Sequence, residues 1–126
     1  MTFPDDRKYT RSHLWLQKCG DVVCIGITAF QREGLGKSEF VDLLNASPVP
    51  ILGHPFMEWE RELGTFRIPW PVSGKLVAFG EEKLEEPGLV DDDPYGTWIV
   101  QVTTIHAMEP LLSAEEYASF CAEEMV

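Results

Sequence analysis

Every β-rich run in this chain is short, and each is closed by residues that turn the backbone. Residues 13–18 (HLWLQK) and 21–27 (DVVCIGI) flank Cys19-Gly20-Asp21. Glycine reaches the positive φ of a tight turn without steric cost, so the two runs read as a hairpin. The same punctuation recurs downstream. Residues 38–44 (SEFVDLL) read as a strand, with Phe40 and Asp42 assigned to opposite faces, and Pro48, Pro50, Gly53 and Pro55 mark a loop. Residues 56–62 and 65–68 read as strands about a turn at Leu63-Gly64, and KLVAFG (75–80) as a strand after a Ser73-Gly74 turn. An acidic connector over 81–95 leads to a further strand, TWIVQVTTI (97–105). Strands this short bury a face only by stacking in layers, which predicts a mainly β sandwich or barrel.

Two helices are predicted beside the strands. Over 28–35 (TAFQREGL), Thr28 is placed to cap, Gln31 follows three residues on, and Gly34 or Gly36 ends the helix. Near the C-terminus Ser113 N-caps a final helix, with Glu115 and Glu116 in the first turn, where the helix dipole favours acids.

With 126 residues the chain is expected to form one domain over 1–126, with a modest core of its own. Its 44% apolar and 25% charged content is ordinary for a globular protein, which argues against disorder. The net charge of −11 is unusual, and it argues against nucleic-acid or anionic-membrane binding, both of which need basic surface. The acids cluster at Glu81, Glu82, Glu85 and Glu86, at Asp91 to Asp93, and at Glu115, Glu116, Glu123 and Glu124, a pattern suited to solvation or to docking on basic surfaces. No run approaches the roughly 20 apolar residues of a membrane span, and no secretory signal opens the chain. Cys19, Cys24 and Cys121 are odd in number and read as reduced thiols, so a cytoplasmic protein, monomeric when free, is expected.

Catalytic patterns are absent from this reading. The string GLGKS at 34–38 lacks the glycine a phosphate loop needs five residues before Gly36, because Gln31 stands there. His13, His54 and His106 show no metal-ligand spacing with the cysteines. Glu60 and Glu62 flank the Leu63 turn, yet nothing marks them as an acid/base pair. Neither an enzyme nor a metal site is predicted.

Four separated blocks carry more information: YTRSHLW (9–15), GITAFQREGLG (26–36), PVSGKLVAF (71–79), and PGLVDDDPYG with WIVQV and LLSAEEYASF across 87–120. Over residues 9–120 they resemble the glycine cleavage system H protein family. The resemblance implies the lipoyl-domain fold, a flattened β sandwich (barrel-sandwich hybrid) of two similar halves with one short internal helix and a C-terminal helix. It also implies a lipoyl cofactor on a lysine at an exposed hairpin tip ahead of Pro-Val-Ser-Gly. Counting back without gaps from Pro71 puts Leu63 at that lysine's place, within Glu60-Arg61-Glu62-Leu63-Gly64, and no lysine occurs between Lys37 and Lys75. A lipoyl amide forms on a primary amine. Leucine has no nitrogen, and the guanidinium groups of Arg61 and Arg67 stay protonated.

Two further departures concern the acids that, in the family, shelter the cationic methylamine-bearing arm. The Ser-His-Glu-Trp block reads Ser12-His13-Leu14-Trp15 here, and the acid expected four residues beyond the lysine is Arg67. A leucine and a guanidinium remove the attraction for a protonated amine and add repulsion. In place of cargo chemistry, Phe56, Trp59, Leu63, Phe66, Ile68, Pro69 and Trp70 crowd the former tip. The expectation is a non-lipoylated binding, regulatory or scaffold protein with no cofactor. Its candidate interface is Trp59, Leu63, Phe66 and Trp70, its altered cargo pocket is Ser12, Leu14 and Arg67, and its partners are glycine-cleavage or lipoate-handling enzymes. The alternatives are a methylamine shuttle loaded on Lys37 or Lys75, or a small anion or apolar ligand in the emptied cleft.

Overall fold

A computed structural model describes residues 3–29, 36–43, 49–80, 85–86 and 88–124. Two open antiparallel sheets form the body. The larger runs β1 (Lys8–Tyr9), β2 (Leu14–Cys19), β3 (Val22–Ile27), β8 (Trp98–Met108), β7 (Val72–Phe79) in spatial order. The smaller runs β4 (Ser38–Leu43), β5 (Pro55–Arg61), β6 (Gly64–Pro69). Two helices complete the described chain, α1 (Gly88–Asp92) and α2 (Ala114–Glu124).

Alternation along β2 shows how this part of the larger sheet is buried on both sides. Leu14 and Leu16 enter a core shared by both sheets, with Ile25, Ile27, Met57, Trp59, Ile68, Val100 and Val102. Trp15 points the other way, into a second cluster with Tyr9, Cys24, Leu112, Tyr117 and Cys121, which α2 covers. Successive side chains of a strand face opposite sides, so LWL is continuously buried only because a sheet lies on one side and a helix on the other.

Two glycines are required by close approach. Gly26 pairs with Trp15, and a Cβ added there would lie 2.3 Å from Cζ2 of the indole. The indole N–H donates to the Pro94 carbonyl at 2.9 Å, which holds the ring over this glycine. At Gly74 an added Cβ would meet the Thr103 carbonyl at 2.7 Å. Gly74 therefore lies inside β7, at a register shift, and the strand starts at Val72 rather than after Ser73-Gly74. Thr104, opposite this irregularity, takes a positive φ of 50°.

The Cys19–Asp21 hairpin, the Leu63 turn and the capped C-terminal helix all form. Ser113 Oγ accepts from the Glu116 amide at 3.1 Å, and the Glu116 carboxylate accepts from the Ser113 amide at 2.9 Å, closing a capping box. Several expectations change. The acidic connector contains α1, and strand β8 extends to Met108. Phe40 and Asp42 share one face: they are two residues apart, pair with Glu60 and Glu58, and are both exposed. Cys19 is exposed, whereas Cys24 and Cys121 are buried. The helix predicted over 28–35 falls mostly on 30–35, outside the described residues.

Candidate functional site

The β5–β6 hairpin projects Leu63 at its turn, 72% exposed. Two observations explain why this side chain, among so many apolar neighbours, stays in water. Inward positions of the hairpin are already filled by Met57, Trp59, Arg61 and Ile68, all buried. Phe66 closes the base of the turn, its ring 3.4 Å from where a Gly64 Cβ would sit, and is itself half-buried.

Behind the turn lies a polar brace that the sequence reading did not anticipate. Ser38 is its hub. The Ser38 hydroxyl donates to Asp91 Oδ1 at 2.8 Å and accepts from the Trp59 indole N–H at 2.8 Å and from Arg61 Nη1 at 3.0 Å. The Ser38 amide donates to Asp91 Oδ2 at 2.8 Å. Arg61 Nη2 donates to the Gly36 carbonyl at 2.9 Å and lies 3.6 Å from Asp91 Oδ1, with both side chains buried. Arg61 also sits over the Trp59 ring, 5.4 Å from its centroid. The Glu62 amide donates to the Lys37 carbonyl at 3.2 Å, so exposed Lys37 adjoins the turn. Thus β4, β5 and α1 are tied together behind the Leu63 turn, and the tip stands on a hydrogen-bonded base. Nothing in the local pattern around Asp91 announces this, because its partner Arg61 is distant in sequence.

The predicted interface residues separate. Trp59 is fully buried and Trp70 is 7% exposed, stacked on Phe56 at a centroid distance of 4.0 Å. Their rings fill the inter-sheet core, which corrects their assignment as contact residues. Leu63 and the edge of Phe66 remain at the surface.

The predicted cargo pocket is not assembled either. Leu14 is buried in the inter-sheet core. Arg67 lies between inward-facing Phe66 and Ile68 and therefore points outward, its side chain 69% exposed and 3.5 Å from Glu58. Ser12 shares a 2.9 Å hydrogen bond with Thr10. Strand alternation thus sends Leu14 inward and Arg67 outward, on different faces of the fold. A cavity of about 10 Å³, space for about one water, does lie behind the hairpin, but its lining is Thr28, Trp59, Arg61, Asp91 and their neighbours.

His13 anchors a second network at the opposite sheet face. With φ of 67° it presents Nδ1 to the Tyr117 hydroxyl at 2.7 Å and Nε2 to Glu124 at 2.9 Å. Tyr117 also meets Thr28 Oγ1 at 2.7 Å. A carboxylate only accepts, so neutral His13 carries its proton on Nε2 and accepts at Nδ1 from Tyr117. Burial lowers the His13 pKa, partly opposed by Glu124, and raises those of Tyr117 and Cys121. The network clamps α2 to β2 and β3.

Among the described residues, no group of His, Cys, Asp or Glu is arranged to hold a metal ion, and no helix is long and apolar enough to cross a membrane. The hairpin tip does not fit a lipoyl group. Attachment needs a primary amine at the turn, and the turn offers a carboxylate and an isobutyl side chain, Glu62 and Leu63.

Comparison with known proteins agrees with this architecture. The profile of the family described as Glycine cleavage H-protein matches residues 7–124. A glycine cleavage system H protein of Carboxydothermus hydrogenoformans is 37% identical over 124 residues, covering 96% of this chain and 95% of the relative. That of Bacillus mycoides is 36% identical over 127 residues, covering 98% and 100%. The crystal structure of a glycine cleavage system H protein from Mycobacterium marinum superposes with a TM-score of 0.82 at 28% identity, covering 98% of this chain and all of the other. The match runs through both sheets and α2. The chain belongs to the glycine cleavage H-protein family.

Proposed function

We propose that this family member works without a lipoyl group, as a cytoplasmic, non-catalytic protein that binds glycine-cleavage or lipoate-handling enzymes through its β5–β6 tip. One observation carries the reading. The most exposed large apolar side chain among the described residues, Leu63, occupies the turn where gap-free counting from Pro71 places the family's lysine. An exposed apolar side chain on a braced hairpin suits a contact, and it offers no atom for acylation. Intact mass spectrometry after incubation with lipoate ligase, lipoate and ATP tests this. An unchanged mass is the expected result, and a gain of one lipoyl group overturns the proposal.

A second reading has one specific observation in its favour. Lys37 is exposed and its carbonyl accepts from the Glu62 amide, so a primary amine emerges next to the turn although it is distant in sequence. Peptide mapping of native protein separates the two readings: lipoate on Lys37 would make the chain a shuttle loaded just ahead of β4 rather than on the hairpin.

A further inference from the structure

We propose that the outer face of the β4–β5–β6 sheet, with Leu63 at its tip and Phe40 on its edge strand, docks into an apolar pocket ringed by lysine or arginine on a partner protein. This rests on the reading of the hairpin as a contact site and gives that contact its chemistry.

Two apolar side chains mark the face, Leu63 at 72% exposure and Phe40 at 51%. Strand register places what surrounds them. Phe40 lies opposite Glu60, which lies opposite Thr65, and Asp42 lies opposite Glu58, which lies opposite Arg67. Glu39, Asp42, Glu60 and Glu62 are exposed around the two apolar groups. Of the cations on this face among the described residues, Arg67 is engaged with Glu58 at 3.5 Å, which leaves Lys37 against four carboxylates. An apolar centre with a predominantly acidic rim is the anatomy of a surface that selects an oppositely charged partner.

Charge complementarity decides the occupant. A second copy presents the same acidic rim on a chain of net charge −11, so face-to-face pairing brings like charges together. Nucleic acids and anionic lipids meet the same repulsion. A basic-rimmed protein pocket satisfies both the rim and the centre. The Ser38–Arg61–Asp91 brace adds preorganisation, since the tip need not be ordered at the moment of binding.

The test uses the full chain and purified recombinant glycine-cleavage enzymes and lipoate ligase of the source organism, with binding kinetics recorded over a range of salt. Leu63→Asp is expected to weaken binding by about tenfold or more, mainly through faster dissociation. The combined variant Asp42→Asn, Glu60→Gln and Glu62→Gln is expected to slow association about tenfold at low salt and to flatten its salt dependence. Neutralising Glu115 and Glu123 on α2 should leave both rates unchanged. All these positions are exposed, and circular dichroism checks that each variant folds. Wild-type binding that is indifferent to both hairpin variants overturns this inference alone. Absence of wild-type binding to every enzyme overturns it together with the contact reading. A salt-sensitive dimer abolished by Leu63→Asp assigns the face to a second copy and overturns it as well.

Discussion

Arg61 and Asp91 face each other at 3.6 Å inside the protein, joined through the hydroxyl of Ser38, with their side chains 2% and 8% exposed. This pair ties the β5–β6 hairpin to α1. Removing Asp91 takes a buried carboxylate from beside the Arg61 guanidinium and breaks both of its hydrogen bonds with Ser38, a larger penalty than the pair's net worth. Asp91→Ala is expected to destabilise the fold by roughly 3–5 kcal/mol. Urea denaturation at neutral pH would show a lower midpoint with an unchanged slope. A loss under about 1 kcal/mol would mean that water replaces the carboxylate without cost.

Gly26 and Trp15 pose a steric test. A methyl at residue 26 would occupy space held by the indole ring. Gly26→Ala is therefore expected to cost about 1–3 kcal/mol through overpacking. Trp15→Phe removes Cζ2 and Nε1, indole atoms that crowd the added methyl, and with Nε1 the hydrogen bond to Pro94. The two losses should not add: the double variant should be more stable than their sum implies, by at least about 0.5 kcal/mol. Strict additivity in a double-mutant cycle would contradict the contact.

His13 makes stability depend on pH. Its folded pKa lies below the ordinary 6.5 because burial disfavours the imidazolium. The unfolded chain therefore binds the proton more readily, and stability falls as pH drops from 6.5 through the lower folded value. Above 6.5 the contribution is complete. Unfolding midpoints measured from pH 8 down to 5 should show this decline, and His13→Asn, which tolerates the positive φ, should flatten it. An equal slope in the variant would assign the decline to other groups.

The capping box at α2 gives a smaller effect. Ser113→Ala is expected to cost about 1 kcal/mol by leaving the Glu116 amide without its acceptor. Hydrogen exchange should quicken in the first turn of α2 and, because this helix covers Tyr9 and Trp15, in β1 as well. Protection unchanged across both would show that tertiary packing alone holds the helix.

Restoring an amine probes the tip itself. Leu63→Lys, incubated with lipoate ligase, lipoate and ATP, is expected to gain one lipoyl group while the parent chain stays unmodified. The turn is exposed, so the added ammonium meets no desolvation barrier. A variant that remains unmodified would show that ligase recognition, and not only the amine, has been lost from this hairpin.

Much of the fold was legible because its signals are local. Gly20 in the first hairpin turn, the Leu63 turn and the Ser113 cap depend on residues adjacent in sequence. Gly74 misled, since glycine marks turns and close contacts alike, and only the Thr103 carbonyl beside it distinguishes them. The Ser38–Arg61–Asp91 brace was invisible because its members come from three elements that meet only once β4 pairs with β5 and α1 packs beside them. The tip aromatics were legible as apolar but not as buried.

By itself, the sequence determined that no lysine lies between Lys37 and Lys75 and that leucine occupies the turn ahead of Pro71. Covalent chemistry follows from atom content, which no fold can alter. Only the tertiary structure decided that Leu63 faces water while Trp59 and Trp70 fill the core, that Leu14 and Arg67 part to different faces of the fold, and that Lys37 returns beside the turn. Burial and proximity belong to pairs of surfaces, and those pairs exist only once strands distant in sequence have been brought face to face.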